Sequence, residues 1–366
     1  MKKGMIDNIL FIGITMFALV ACGTGDLGGL AGGGIGGTGI SVGKITAFGS
    51  VFVNGVKFET AGATITIDGQ TAMNGQDDLE IGMIVAVEGT FNVDGVRGTA
   101  KSIKFKDNLE GPVTSTNTTN TLMVLGQTVV ADATTDIYGA NSAKITFAAI
   151  LTGDTVEVSG FVDSTGVIHA TYIKVKGSAG AGEIELKGTI SELDVTPGTF
   201  KIGTLVVDYS GAQIEVTDSL QNGLFVEVKS NAEPIGGMLI ASKVEAEDEI
   251  FSIAGEGEGE KAELEGVVTS VTNLVSENKF EVNGQPVQIT SATHFEGNTS
   301  QAEIILGARL EVEGTVDANG VLIAKEISIE SGDDSGEGDS DDSPDDGSDE
   351  SGDSPDDESG ESGNLA

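Results

Sequence analysis

Between residues 40 and 330 apolar and polar residues alternate, and the alternation breaks repeatedly at glycines. Period-two alternation marks half-buried β-strands, and Gly or Asn-Gly between two such runs marks a turn. Phe52-Val53-Asn54-Gly55-Val56-Lys57-Phe58 therefore predicts a two-residue hairpin, since both central residues of a type I′ turn need positive φ. The arrangement returns at Phe280–Val287 around Asn283-Gly284, and in weaker form at Leu125-Gly126 and Gly203-Thr204. A short β-rich piece follows each hairpin: Ala63-Thr64-Ile65, Ala133-Thr134-Thr135, Ala212-Gln213-Ile214 and Ala292-Thr293-His294.

A second landmark, Leu79…Gly82…Val85-x-Val87, recurs as Ile150…Gly153…Val156-x-Val158, Leu220…Gly223…Val226-x-Val228 and Ile304…Gly307…Leu310-x-Val312. Three copies close on a glycine (Gly89, Gly160, Gly314), which predicts a bulge or sharp bend; the third has Lys229-Ser230 instead. The final strand of each unit carries Ala100-x-x-Ile103, Ala170-x-x-Ile173, Ala241-x-x-Val244 or Ala324-x-x-Ile327. The repeat is about 70 residues long, above the range of solenoid arrays, so each unit reads as a small domain. The fold class is all-β: four tandem small antiparallel barrels, each of five short strands with glycine corners. A module this small buries only about 60% of its unfolded surface, so modules without a spacer are expected to pack.

The run Gly43–Phe58 (GKITAFGSVFVNGVKF), with Gly82–Gly89 (GMIVAVEG), resembles an uncharacterised domain family that occurs, often in tandem, in bacterial lipoproteins. The first unit matches closely, the others at the glycines and strand positions, and the resemblance covers most of Ile40–Glu330. It implies an OB-like β-barrel in each unit and brings no catalytic or ligand residues with it.

The modules are expected at residues 40–108, 109–176, 185–249 and 263–330, with linkers at 177–184 (around GSAGAG) and 250–262 (around GEGEGE). The first two should form a fixed pair, and the linkers read as short hinges. Residues 1–21 read as a lipoprotein signal peptide: Lys2 and Lys3, then the apolar run Ile9–Val20, too short to span a membrane. The run ends in Leu19-Val20-Ala21-Cys22, which places lipidation on Cys22, the only cysteine. Several acyl chains there make a stable membrane anchor, and a single cysteine leaves no disulfides to support the modules. Gly23 after the cysteine resembles the pattern sorted to the outer membrane, and residues 22–39 read as a Gly-rich tether.

Residues 331–366 hold 15 Asp or Glu and no Lys or Arg, a composition expected to be disordered. The whole chain has 19 basic against 58 acidic residues, a net charge of −39, which disfavours nucleic acid and anionic lipid surfaces. Cations and basic partner surfaces stay allowed. The tail encodes no calcium loop: around Gly347 the spacing of Asp342 and Asp346 is broken by Pro344, and around Gly338, Asp333 and Glu337 lack a closing Glu. Weak association of divalent cations with the tail is the reading that charge alone permits.

His169 and His294 fall at different landmarks of different units and read as ordinary strand or surface histidines. Glu157 and Glu311 offer carboxylates on alternating strands, which could serve glycosidic hydrolysis but read as the polar faces of solvated strands. No nucleophile elbow, zinc motif or phosphate loop appears, and no cofactor is implied. The expectation is a non-enzymatic, lipid-anchored envelope protein that binds or scaffolds an envelope protein or polysaccharide. The alternatives are a surface adhesin or matrix component with a cation-binding tail, and a carbohydrate-active hydrolase.

Overall fold

The computed structural model describes residues 37–178, 184–247, 253, 257–297 and 299–329. The signal peptide, Cys22, the tether before residue 37, the middles of both linkers and the acidic tail lie outside the described residues.

Module one contains β1 (Gly37–Ala47), β2 (Val51–Val53), β3 (Val56–Glu59), β4 (Thr64–Ile67), β5 (Gln70–Thr71), β6 (Ile84–Phe91) and β7 (Arg97–Phe105). β1 pairs antiparallel with β2 and β6, β2 with β3, and β3 and β4 run parallel to β7, which returns antiparallel to β6. The circuit closes on itself as a five-position OB-like barrel. Module two repeats it with β8 (Leu109–Thr116), β9 (Thr121–Val124), β10 (Gln127–Tyr138), β11 (Asp154–Val162) and β12 (Ile168–Ser178).

Module three comprises β13 (Ile184–Thr189), β14 (Ser191–Asp194), β15 (Thr199–Ile202), β16 (Leu205–Asp208), β17 (Gln213–Glu215), β18 (Phe225–Ser230), β19 (Met238–Ile240) and β20 (Lys243–Ala246). Module four comprises β21 (Lys261–Ser270), β22 (Lys279–Val282), β23 (Gln285–Gln288), β24 (His294–Phe295), β25 (Arg309–Val316) and β26 (Leu322–Ile329), with a single helical turn, Leu274–Glu277, between β21 and β22.

The hairpin reading holds. Asn54 and Asn283 have φ of 50° and 49°, and the glycines after them are also positive. In module two Leu125 takes φ 47° although it is a bulky residue, and its side chain is buried beside Gly111.

The bulges fall where the glycine landmarks predict them. Register shifts occur at Glu88/Gly89, Ser159/Gly160 and Glu313/Gly314, and each glycine pairs with the alanine landmark of the closing strand (Ala100, Ala170, Ala324). At all three a Cβ would collide with the carbonyl of the residue before that alanine. In module three, where Ser230 replaces the glycine, the ladder of β18 with β20 runs without a shift, and the closing strand breaks between β19 and β20.

The modules are not beads on hinges. β13 pairs with β8, so modules two and three share one sheet and one hydrophobic core. β1 pairs in parallel with β21, joining modules one and four. This pairing begins at Gly39 and Lys261, within the last residues of the stretches read as tether and linker. Modules one and two pack as a fixed pair: Tyr138 and Tyr172 of module two sit in the core of module one, and Phe105 meets Tyr172 edge-on at 6.3 Å. Phe161 of module two enters the core of module four, with the Arg309 guanidinium 5.3 Å from its ring. Short linkers read as hinges because strand pairing across them leaves no local pattern.

Candidate functional site

The chain crosses from module one to module two at Lys106-Asp107-Asn108, and there it meets β13 and β11. Asn108 is buried, and its backbone N–H, its carbonyl and its Oδ1 are all bonded. Its N–H donates to the Val158 carbonyl at 2.8 Å, its carbonyl accepts from the Lys187 N–H at 3.0 Å, and its Oδ1 accepts from the Gly160 N–H at 2.7 Å.

Behind it the Lys187 ammonium, buried to 1% side-chain exposure, contacts Asp107 at 2.5 Å, Glu227 at 3.0 Å, Asp68 at 3.3 Å and Glu185 at 3.6 Å. Burial opposes a charge on Lys187, but Asp107, Asp68 and Glu227 outweigh it and hold the amine protonated well above the ordinary lysine range. Burial also opposes ionisation of Glu227, yet Lys187 and a hydrogen bond with Glu245 hold its carboxyl down to about 2. Asp68, Asp107 and Glu185 lie close enough to share one metal ion. The ammonium already stands among them and supplies the positive charge.

Two cavities open on either side of this septum. One, of about 370 Å³, is lined almost entirely by charged groups of modules one and three, including Asp68, Lys106, Lys229, Lys243 and Glu247. Its charges are matched: Lys106 bonds Glu247, Lys229 bonds Glu185, and Lys243 bonds Glu245 and Glu215. The other, of about 450 Å³, lies where modules two, three and four meet. Its walls come from the β11–β12 loop, β13, and the hairpin tips of modules two, three and four. Asn108, Gln127, Phe161, Ile168 and Ile202 are buried beneath it, and Val162, Ser164, Thr189 and Glu281 stand exposed around it. A concave site with an apolar floor and a few placed polar groups suits ligand binding.

Hairpin tips meet at this cleft because Gln127 Nε2 donates to the Leu125 and Ile202 carbonyls, and Thr204 Oγ1 donates to the Gly126 carbonyl. Asp163, at the cleft wall, accepts from the Thr165 hydroxyl and the Thr165 and Val167 amides. Burial would raise its carboxyl, but these bonds and that to His169 hold it at about 2.

The residues singled out from sequence are scattered. His169 pairs with Asp163 at 2.9 Å on the flank of the cleft, whereas His294 is exposed on β24 far along the chain in module four. Glu157 corrects the solvated-strand reading: it is buried and paired with Lys176, which also contacts Glu110. A carboxylate on a strand that packs between neighbours cannot stay unpaired, and the lysine resolves it. Glu311 is half-buried on β25. Cys22 lies outside the described residues.

The central residues, Asp107, Asn108 and Lys187, carried no motif. The one available signal was positional: Lys187 precedes Gly188 where the other modules have Val42, Glu110 and Glu265 before Gly43, Gly111 and Gly266. A lysine there is a departure within a chain poor in lysine.

The model of a family described as a domain of unknown function, DUF5666, matches this chain four times, over residues 42–104, 110–174, 187–245 and 265–328. No curated protein matches the chain.

Proposed function

We propose, for a chain that belongs to the DUF5666 family in each of its four modules, a non-enzymatic binding and scaffolding role at the cell envelope. In this reading Cys22 carries the lipid that fixes the chain to the outer membrane, and the fused barrels carry a ligand site at the end of the Gly-rich tether. The observation that carries the binding role is the convergence of three modules on one cleft of about 450 Å³. Cavities at domain interfaces with an apolar floor and convergent polar groups are the usual ligand sites.

The cleft offers hydrogen-bonding groups and shape, whereas its carboxylates are engaged in turn-forming bonds or stand singly at the rim. Net charge −39 supports a neutral or basic envelope ligand over nucleic acid.

Membrane fractionation tests the anchor: the native chain should pellet with membranes, and Cys22→Ala should appear in the soluble fraction. Incubation of the purified chain with polysaccharide and peptidoglycan tests the rest. No turnover is expected, and turnover above buffer would overturn the non-enzymatic reading.

A further inference from the structure

The cleft of modules two, three and four contains a vacated strand position. β8 lies between two antiparallel neighbours, β11 on one side (Val158↔Leu109) and β13 on the other (Leu186↔Leu109). Both neighbours continue past the start of β8, as Gly160–Val162 and Lys187–Thr189. The chain that should lie between them does not, because on the N-terminal side of Asn108 it turns away through Asp107, which Asp68 and Lys187 hold. Both edges of this slot are left without a ladder partner there, and a strand added between two neighbours takes up about 9.5 Å at ordinary sheet spacing. Gly160, Phe161, Val162, Lys187, Gly188 and Thr189 all line the cleft, with Asn108 at its closed end.

The ladders determine which backbone groups face the slot. Lys187 N–H points into it, donating to Asn108, so two residues on Thr189 turns its N–H and carbonyl the same way. The intervening Gly188 pairs with Val226 on the far side. On β11 the Val158 carbonyl and Gly160 N–H face Asn108, so Val162 presents its N–H and carbonyl to the slot. Among the described residues Val162 and Thr189 have no backbone partner on the slot side, where the ladders to β8 end at Val158 and Leu186. Such a slot offers main-chain hydrogen bonds to an extended strand from both edges, the chemistry of β-strand addition.

The charge around it selects the strand. Asp163 is held ionised, Glu281 is exposed at the rim, and the only lysine in the lining is already enclosed by four carboxylates.

We infer that the slot between β11 and β13 docks an extended, basic peptide segment of a partner protein, which enters as the missing strand. This rests on the binding role proposed above and names its ligand class.

The test uses the full chain with three short synthetic probes: a peptide alternating Thr and Lys, one alternating Thr and Glu, and the Thr-Lys peptide N-methylated at alternate residues. Saturable binding of the Thr-Lys peptide is expected, with the Thr-Glu peptide weaker by about tenfold or more. Hydrogen exchange should slow at the amides of Val162 and Thr189 in that complex. N-methylation should weaken binding by about tenfold, as loss of one or two hydrogen bonds would. Thr189→Pro should do the same, because it removes a slot-facing N–H without breaking a ladder bond. Glu281→Lys, at an exposed site that leaves folding intact, should weaken the Thr-Lys peptide and strengthen the Thr-Glu peptide.

Binding that is indifferent to N-methylation and leaves both amides exchanging freely overturns the inference. If a neutral oligosaccharide protects the cleft amides and no peptide does, the peptide inference fails while the binding role stands. If neither class of probe protects them, both fail.

Discussion

At Lys187 one ammonium answers carboxylates of modules one and three, and its loss would leave Asp107 buried without a counter-charge. Lys187→Met should therefore destabilise the chain by about 3–5 kcal/mol in denaturant titrations. Adding Asp107→Asn should recover part of that loss, since the amide needs no counter-ion. A second buried ion pair, within β21 where that strand pairs with β1, makes a prediction about pH. Burial pushes the Glu263 carboxyl up to about 7, against the pull of Lys261 at 2.7 Å. A raised folded pKa means that the native state binds the proton more tightly than the unfolded chain does. This stabilising contribution is fully present below the unfolded value of 4.5 and is lost as pH rises through 7. Its slope in that window is up to about 1.4 kcal/mol per pH unit. Glu263→Gln should flatten this part of the stability profile, and a profile as steep as the native chain's would assign the slope to other groups.

Among the elements, the bulge glycines explain why the landmarks recur. A Cβ added at Gly314 would stand 2.2 Å from the Ile323 carbonyl oxygen, so Gly314→Ala should cost about 1–3 kcal/mol by overpacking. Ser230 occupies the same landmark in module three, and its hydroxyl bonds the Ala232 and Ile240 carbonyls. Ser230→Ala should cost only about 1 kcal/mol, the worth of a hydrogen bond, and thermal unfolding of the two variants separates the cases. These glycines were legible because a bulge leaves a residue-specific mark at a fixed place in the strand. A second set was not. Gly43, Gly111, Gly188 and Gly266 on the first strands each make room for a hairpin residue (Asn54, Leu125, Ile202, Asn283) folded across the barrel. That contact joins positions on different strands, and alternation within one strand cannot announce it. Leu125 shows the same limit: nothing local favours a leucine at φ 47°, and its burial in the shared core holds it there.

For the whole molecule, the repeat and the barrel were readable, while the association of the barrels was not. Alternation marks which face of a strand is buried, but not whether the buried face meets its own barrel or a neighbour's. Phe161 reads as an ordinary strand residue of module two and lies in the core of module four. Likewise the first-strand edges carry no motif, yet β1 pairs with β21 although more than 200 residues separate Gly39 from Lys261. Such pairing has a consequence that hinged beads would lack. The connection between modules three and four is not what holds module four in place; its sheet with module one and its contact with Phe161 are. A protease site engineered into the GEGEGE stretch, then cut, should therefore leave both fragments eluting together in gel filtration. They should separate only in denaturant, and Gly39→Pro, which disturbs the parallel β1–β21 pairing, should lower the denaturant needed. Separation of the cut fragments in buffer alone would mean that the linker carries the association, and the ligand cleft, which borrows its wall from the module four hairpin, would then open whenever that linker moved.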